Sequence, residues 1–482
     1  MAGAFVGRAI ELGVLTKRLE RVTRTGDGVA VAIRGRRQVG KSRLVQEFCD
    51  RAGVPYLFFT ATKGASAVDG VADFHSELRS SALPKDREVL PETVADWPDA
   101  LRALAAALPD TPCVVVIDEL PWLAEQDAVF DGALQTAWDR LLAHRPVLLL
   151  LLGSDLHMME RLTSYDRPFY GRADSMVLGP LNVADAGEAL GLGPADAIDA
   201  HLVSGGLPGI LRAWPHGTPA LEFVEAECAD PASPLFSVPE TTLLAEFPAP
   251  DQARRVLEAV GSGERTHANI AAAAGSVSGA LPSGVLSPLL RRLTEEKRVL
   301  AQDAPLSVQP GKPVLHRVAD SNLRFYLAAL RTAQEQTRRG RPAAAFRVVQ
   351  RRWTAWRGRA VEPLVRESLE LAAAAGRFPW PDTETVGGWW NRQFSPEIDV
   401  VGADRAPVAG RIFFVGSVKW LATPFERRDL TALQTGAPQI PGLDPAACGL
   451  MAVSLSGAEP GLERAGLDLL WGPADVVAAW RA

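Results

Sequence analysis

Gly35-Arg36-Arg37-Gln38-Val39-Gly40-Lys41-Ser42 reads G-x-x-x-x-G-K-S, a complete phosphate-binding loop. The apolar run Val29-Ala30-Val31-Ala32-Ile33 precedes it, and the helix-like Arg43-Leu44-Val45-Gln46-Glu47-Phe48 follows. Strand, glycine-rich turn and helix is the setting this motif needs. Bare glycines let backbone N–H groups close around a phosphate, and the helix that follows turns its positive N-terminal end to the same anion. Lys41 is placed to reach the β- and γ-phosphates, and Ser42 to offer its hydroxyl to Mg2+. Gly35 through Arg43 are therefore the expected nucleotide-binding residues.

Around the loop, apolar runs alternate with helical stretches. Strands are predicted at Val29–Ile33, Tyr56–Thr60, Val114–Ile117, Val147–Leu152 and Ser175–Leu178. This alternation indicates βαβ units and a parallel sheet covered on both faces. In Cys113-Val114-Val115-Val116-Ile117-Asp118-Glu119 an aliphatic strand runs into two carboxylates. Such a pair divides the labour of phosphoryl transfer. Asp118 is assigned to the magnesium shell and Glu119 to the attacking water. The bland alternative is a buried strand that ends in solvated acids.

Composition sets wider bounds. A chain of 482 residues is expected to form two to four domains. Its formal net charge of −6 gives no global argument for nucleic acid or membrane, so any such contact must be local. Cys49, Cys113, Cys228 and Cys448 lie far apart with no C-x-x-C pair, which argues against a zinc knuckle or disulfide framework. No basic start followed by an apolar run opens the sequence, and the most apolar stretch, Val147 to Leu152, is too short to span a bilayer. A cytoplasmic location without membrane contact is expected. Only seven of the 51 basic residues are lysine, and two of them, Lys41 and Lys419, fall inside candidate motifs.

Residues 1 to about 240 resemble the AAA+ and STAND-type NTPases, most closely bacterial and archaeal ATPases of the MNS branch. The resemblance rests on Phe5-Val6-Gly7-Arg8 with Glu11-Leu12, on Asp118-Glu119-Leu120-Pro121-Trp122-Leu123, and on Leu152-Gly153-Ser154. It implies ATP with Mg2+ as the nucleotide, Phe5 and Val6 beside the adenine, and Ser154 as a sensor at a strand end. Arg172, in Tyr170-Gly171-Arg172, is then either a γ-phosphate sensor or arginine finger, or a plain surface arginine. Gly205-Gly206-Leu207-Pro208 resembles the element that ends the helical lid, and it would also serve as a tight turn between helices.

Residues 241–335 are predicted to hold helices at Gln252–Val260, Thr266–Ala273 and Ser283–Lys297, then a hairpin of 298–300 with 314–317. Three helices and a hairpin resemble a winged helix, a module that contacts either DNA or protein. Asp320-Ser321-Asn322-Leu323-Arg324-Phe325-Tyr326 resembles the segment that follows this module in the same ATPases. Residues 336–357 form an arginine-rich connector. Between 336 and 361 stand Arg338, Arg339, Arg341, Arg347, Arg351, Arg352, Arg357 and Arg359 with no acid, interleaved with Trp353 and Trp356. This pattern suits nucleic-acid phosphates with aromatic faces for stacking, or equally a solvated helix face paired with neighbouring acids.

Residues 358–482 carry Glu362 on a helical segment, Pro396-Glu397-Ile398-Asp399, and Gly416-Ser417-Val418-Lys419 at a strand end. Together they resemble the PD-(D/E)xK restriction-endonuclease-like core, in which acids hold a hard divalent metal at the scissile phosphate. By position Glu362 and Asp399 are the candidate metal ligands and Lys419 the candidate lysine; strand alternation puts Glu397 on the same face as Asp399, as a further candidate ligand. Ser417 stands where the resemblance requires a second acid, so a degenerate domain that binds nucleic acid or protein is expected in preference to a nuclease. The fold class expected for the whole chain is α/β multidomain: a P-loop parallel sheet with a helical lid, a winged helix and a C-terminal α/β domain. The function expected is an ATPase switch. The alternatives are an ATP-regulated metal-dependent nuclease and a slow or non-hydrolysing ATP-binding scaffold. A protein partner or self-association completes the expectations.

Overall fold

The computed structural model describes residues 5–83, 90–154, 158–160, 165, 169–247, 251–276, 279–311 and 313–481. The chain divides into two compact units, the first ending at Leu181 and the second beginning at Asn182. The helices between 182 and 240, expected to go with the nucleotide-binding region, therefore pack within the second unit.

In the first unit, among the described residues, five parallel strands form one sheet: β1 (Val29–Arg34), β2 (Tyr56–Thr60), β3 (Cys113–Asp118), β4 (Val147–Gly153) and β5 (Ala173–Val177). All five lie where the apolar runs predict them. Their spatial order is β2-β3-β4-β1-β5. β3 and β4 are buried along their whole length, as parallel strands covered on both faces must be. Helices α1 (Ala9–Thr25) and α2 (Lys41–Ala52) flank β1 in the chain. Phe59, Phe74, Trp97 and Phe130 form a chain of edge-to-face rings in the core, with centroids 4.9–5.6 Å apart. Because β4 lies between β1 and β3, the ends of all three deliver their side chains to one crevice at the carboxyl edge of the sheet.

The second unit opens with helices that include Val183–Leu190, Pro194–Ser204, Ala220–Glu227 and Pro234–Glu246. Helices Gln252–Gly261, His267–Ala273 and Ser283–Arg291 follow, then an antiparallel pair β6 (Leu300–Asp303) and β7 (Leu315–Val318). The segment after β7 docks on the first helices of the unit. Ser321 Oγ donates to Leu202 O at 2.8 Å, and Asn322 Nδ2 to Val203 O at 2.9 Å. Gly205 (φ 62°) takes a left-handed conformation there, and a Cβ on it would stand 3.0 Å from Asn322.

The helix Pro342–Ala374 runs unbroken through the expected junction at 357/358 and past Pro363. Proline cannot donate to the carbonyl four residues back, which here belongs to Arg359. The guanidinium of Arg324 supplies the missing donor, Nη2 to Arg359 O at 3.1 Å. Beyond this helix lie β8 (Thr385–Trp390), β9 (Glu397–Ala403), β10 (Ile412–Lys419), β11 (Gly449–Ser454) and β12 (Leu469–Trp471), in one sheet of order β12-β11-β10-β9-β8. β8, β9 and β10 pair antiparallel, and β10, β11 and β12 parallel, so the sheet is mixed. Among the described residues no helix is long and apolar enough to cross a membrane.

Candidate functional site

The loop 35–42 joins β1 to α2 and is shaped by backbone that few residues tolerate. Gln38 (φ 66°) and Gly40 (φ 93°) are left-handed, and a Cβ on Gly35 would stand 2.4 Å from Leu178 O. Lys41 is buried, and its Nζ donates to Gly35 O at 2.8 Å and Arg36 O at 3.1 Å. Burial pulls its ammonium below the ordinary lysine value, while Glu119 and Asp118 act to raise it. An ammonium held that way gains from an anion placed within its reach.

Strand β3 brings its carboxylates to the same edge. Ser42 Oγ donates to Asp118 Oδ2 at 2.5 Å. Burial pushes the Asp118 carboxyl up, with the Ser42 hydrogen bond pulling the other way. A hydroxyl and a buried carboxylate in contact are hard oxygen donors of the kind that Mg2+ takes. Glu119 follows in a left-handed conformation (φ 57°). Its Oε2 accepts from Ser154 Oγ at 2.8 Å, so the residue at the end of β4 fixes the orientation of this carboxylate. The structure thus brings Lys41, Ser42, Asp118, Glu119 and Ser154 together in one crevice.

Other expected residues sit elsewhere. Arg172 forms a two-pronged pair with Asp139, Nε at 2.7 Å and Nη2 at 2.8 Å. The ring of Phe5 lies under the guanidiniums of Arg43 and Arg51, at 5.8 and 5.6 Å. Val6 is half-buried beside it in sequence. Arg36 and Arg37 belong to the loop itself, and the Val39 side chain is buried.

Arg8 of the lead-in motif is more deeply involved than that motif suggests. It is buried and left-handed (φ 63°), and its Nη2 donates to Val39 O at 3.0 Å and Gly179 O at 2.7 Å while Nη1 pairs with Glu11 at 2.9 Å. The nearby Gly-Arg-x-x-Glu spacing was the available signal, since one helical turn places residues 8 and 11 side by side.

In the second unit the acids meet cationic or donor partners. Asp399 Oδ2 accepts from Ser417 Oγ at 2.9 Å and from the Val418 N–H at 2.8 Å. Arg366, which the sequence reading did not single out, donates to the Asp399 carbonyl at 2.8 Å and lies 3.5 Å from Glu362 Oε2. Burial pushes the Glu362 carboxyl up to about 7, partly offset by Arg366. Glu397 pairs with Arg265 at 3.1 Å, and Lys419 with Asp429. Among the described residues no group of three or more His, Cys, Asp and Glu side chains is placed to hold a metal ion.

The arginine-rich stretch corrects one expectation. Trp353 and Trp356 do not offer free faces for stacking. Both are buried against Phe325, with ring centroids 6.0 and 4.4 Å away. Their spacing of three residues is that of an inward helix face, and the apolar driving force outweighs exposure for rings of this size. Arg338 pairs with Glu240 at 3.0 Å and Arg357 with Asp199 at 2.9 Å, so the stretch is not a uniform basic track.

Residues 4–150 match the family profile described as "AAA ATPase domain". Residues 326–430 match the profile described as "Archaea bacterial proteins of unknown function". The first unit therefore carries an ATP-binding domain of the AAA ATPase type. No curated protein matches the chain. Among solved structures, the Walker-type ATPase PABY2304 of Pyrococcus abyssi is similar at 17% identity and a TM-score of 0.44, over 67% of this chain and 96% of that one. The Aeropyrum pernix ORC2 protein is similar at 13% identity and a TM-score of 0.45, over 71% of this chain and 96% of its own.

Proposed function

We propose that the chain is an ATP-dependent switch whose first unit hydrolyses ATP and whose second unit carries the output. The observation that supports this most directly is the crevice at the carboxyl edge of β1, β3 and β4. There a buried lysine, a Ser42–Asp118 contact of 2.5 Å and a Glu119 anchored by Ser154 share one site. Residues 35–43 would cradle the phosphates, and Ser42 with Asp118 would hold Mg2+. When bound, that ion neutralises charge that builds on the phosphates. Glu119 orients the attacking water and Lys41 draws on the β/γ-phosphates. Arg172 serves as a phosphate sensor only if it leaves Asp139.

A switch needs different ligand affinities in its two states. The helices between 182 and 240 are read as the lid, and 241–335 as a winged helix. Three helices followed by the antiparallel β6–β7 pair support that reading. Residues 358–482 are read as a nuclease-like core kept for binding nucleic acid or protein. With Arg366 between Glu362 and the Asp399 backbone, a cation of the protein occupies the neighbourhood a metal would need. A cytoplasmic setting and a protein partner or self-association complete the proposal.

The test is ATP turnover by the full chain and its variants. Lys41→Ala should lose ATP binding or turnover, whereas Glu119→Gln should keep binding and lose hydrolysis. Unchanged turnover in Lys41→Ala would remove the reading. Material that copurifies with Glu119→Gln and not with Lys41→Ala identifies the output.

A further inference from the structure

A cavity of about 430 Å³ lies within the second unit, walled by the helix Gln252–Gly261, the β6–β7 pair, the segment 324–328 and the helix Pro342–Ala374. Arg265, Arg317, Arg324, Arg351, Arg352, Arg359 and Arg366 all line it, against two acids, Asp303 and Glu362. These arginines come from four separate stretches of an acidic chain. Like charges gathered in one concavity repel, and the arrangement costs stability unless something of opposite sign answers it.

The protein answers only part of it. Arg317 pairs with Asp303 at 3.1 Å, Arg265 with Glu397 at 3.1 Å, and Arg366 lies 3.5 Å from Glu362. Among the described residues Arg324, Arg351, Arg352 and Arg359 form no ion pair. Arg324, Arg351 and Arg352 donate instead to backbone carbonyls, of Arg359, Arg347 and Ala328. Desolvation, with Arg317 next, pulls the Arg324 guanidinium down to about 10.

Two further groups in the wall lack partners. Trp356 and His316 are 8% and 5% exposed, and both line the cavity. The Trp356 indole nitrogen and His316 Nδ1 are buried without a hydrogen-bond partner. The indole N–H can only donate, so it too wants an acceptor. Buried donors left unmade are rare and call for an occupant.

We propose that this cavity binds a compact phosphate-bearing ligand: the phosphate monoester or diphosphate group of a nucleotide or of a nucleic-acid strand end. Guanidinium forks match phosphate oxygens in pairs, and several arginines together select a group with two or more negative charges. The volume falls in the range of small-molecule sites. It admits a nucleotide or a terminal phosphate and excludes a duplex, whose phosphates lie on the outside of a much wider rod. The cavity belongs to the second unit and the loop at residues 35–42 to the first, and the proposal stands whether or not the chain is a switch.

The experiment is calorimetric titration of inorganic pyrophosphate into the full-length chain carrying Lys41→Ala, so that the P-loop does not contribute. Saturable 1:1 binding is expected. Combining Arg351→Ala, Arg352→Ala and Arg359→Ala, all exposed on one helix face, should weaken it by about tenfold or more. The same triple variant with Lys41 intact should keep the parent's ATP turnover and the parent's unfolding midpoints, which shows that both units still fold. Arg324→Lys gives a second reading, since an ammonium keeps the charge and loses the fork. Displacement by a mononucleotide alone would mark a small-molecule site. Displacement by a 5′-phosphorylated oligonucleotide and not by its 5′-hydroxyl form would mark a strand-end site. Absence of binding, binding untouched by the triple variant, or equal displacement by the 5′-hydroxyl oligonucleotide would overturn the proposal.

Discussion

Two strand-end sites in this chain are built from the same kinds of residue and come out differently. At the end of β3, Asp118 faces a serine hydroxyl, and the nearby Lys41 spends its donors on the carbonyls of Gly35 and Arg36. At β9, Asp399 also faces a serine hydroxyl and accepts a backbone N–H, as Asp118 does from Glu119, but Arg366 bonds its carbonyl. Lys419 is tied to Asp429 and Glu397 to Arg265. The first site leaves its charges to be answered from outside; the second answers them within the fold. An acid, a hydroxyl and a lysine in a familiar spacing therefore do not define chemistry. The two sites differ in where their cations go: Lys41 bonds loop carbonyls, whereas Lys419, Arg265 and Arg366 sit against carboxylates of the fold.

The comparison breaks most sharply at Lys41. Lys41→Ala should lower ATP turnover by about a hundredfold or more, because its buried ammonium answers phosphate charge in a low-dielectric crevice. Glu119→Gln should cost on the order of a hundredfold in turnover with ATP affinity kept, read by comparing binding with single-turnover hydrolysis. Ser154→Ala frees the Glu119 carboxylate from its 2.8 Å anchor. About tenfold lower turnover at unchanged ATP affinity is expected from that loss of orientation.

On the other side, Arg366→Gln with Ser417→Asp would convert the second site toward the first. With Asp118→Asn added to silence the first site, that double variant should gain Mn2+ binding detectable by calorimetry, and Asp118→Asn alone should show none. Mn2+ binding by Asp118→Asn alone would erase the contrast between the two sites.

The smallest effect is a matter of pH. Burial holds the Glu362 carboxyl near 7 against an ordinary 4.5. Between those values the folded chain keeps a proton that the unfolded chain has released, so stability falls as pH rises through the window. Glu362→Gln should match the parent at the acid end. It should be more stable by on the order of 1–3 kcal/mol above the window, read from denaturant midpoints at both pH values.

Much of the first unit was legible because its signals are local. Val29–Ile33 and Gly35–Ser42 sit side by side in sequence, and each apolar run became a strand. The contact between Glu119 and Ser154 follows once β4 is placed beside β3, an order the sequence does not carry. In the second unit the decisive groups come from distant stretches. Arg366 looked like one arginine among many on a helix. Arg324 meets the carbonyl freed by Pro363 only in three dimensions. One helix, Pro342–Ala374, spans the arginine-rich stretch and the segment that carries Glu362, and the Arg324 donor satisfies the carbonyl that Pro363 leaves open within it. The tryptophans misled for a related reason: burial depends on which face a partner covers, and Phe325 lies far away in sequence.

The Arg8 contacts have a consequence for how this loop can be altered or borrowed. One guanidinium bridges the lead-in, the loop at Val39 and the chain at Gly179, so the loop's shape is held by residues far upstream and downstream of it. An eight-residue graft of Gly35 to Ser42 into another strand–helix scaffold would carry every letter of the motif without the brace that sets its curvature. Conversely, a truncation that removes the first eight residues leaves the motif intact on paper and unbuttoned in space.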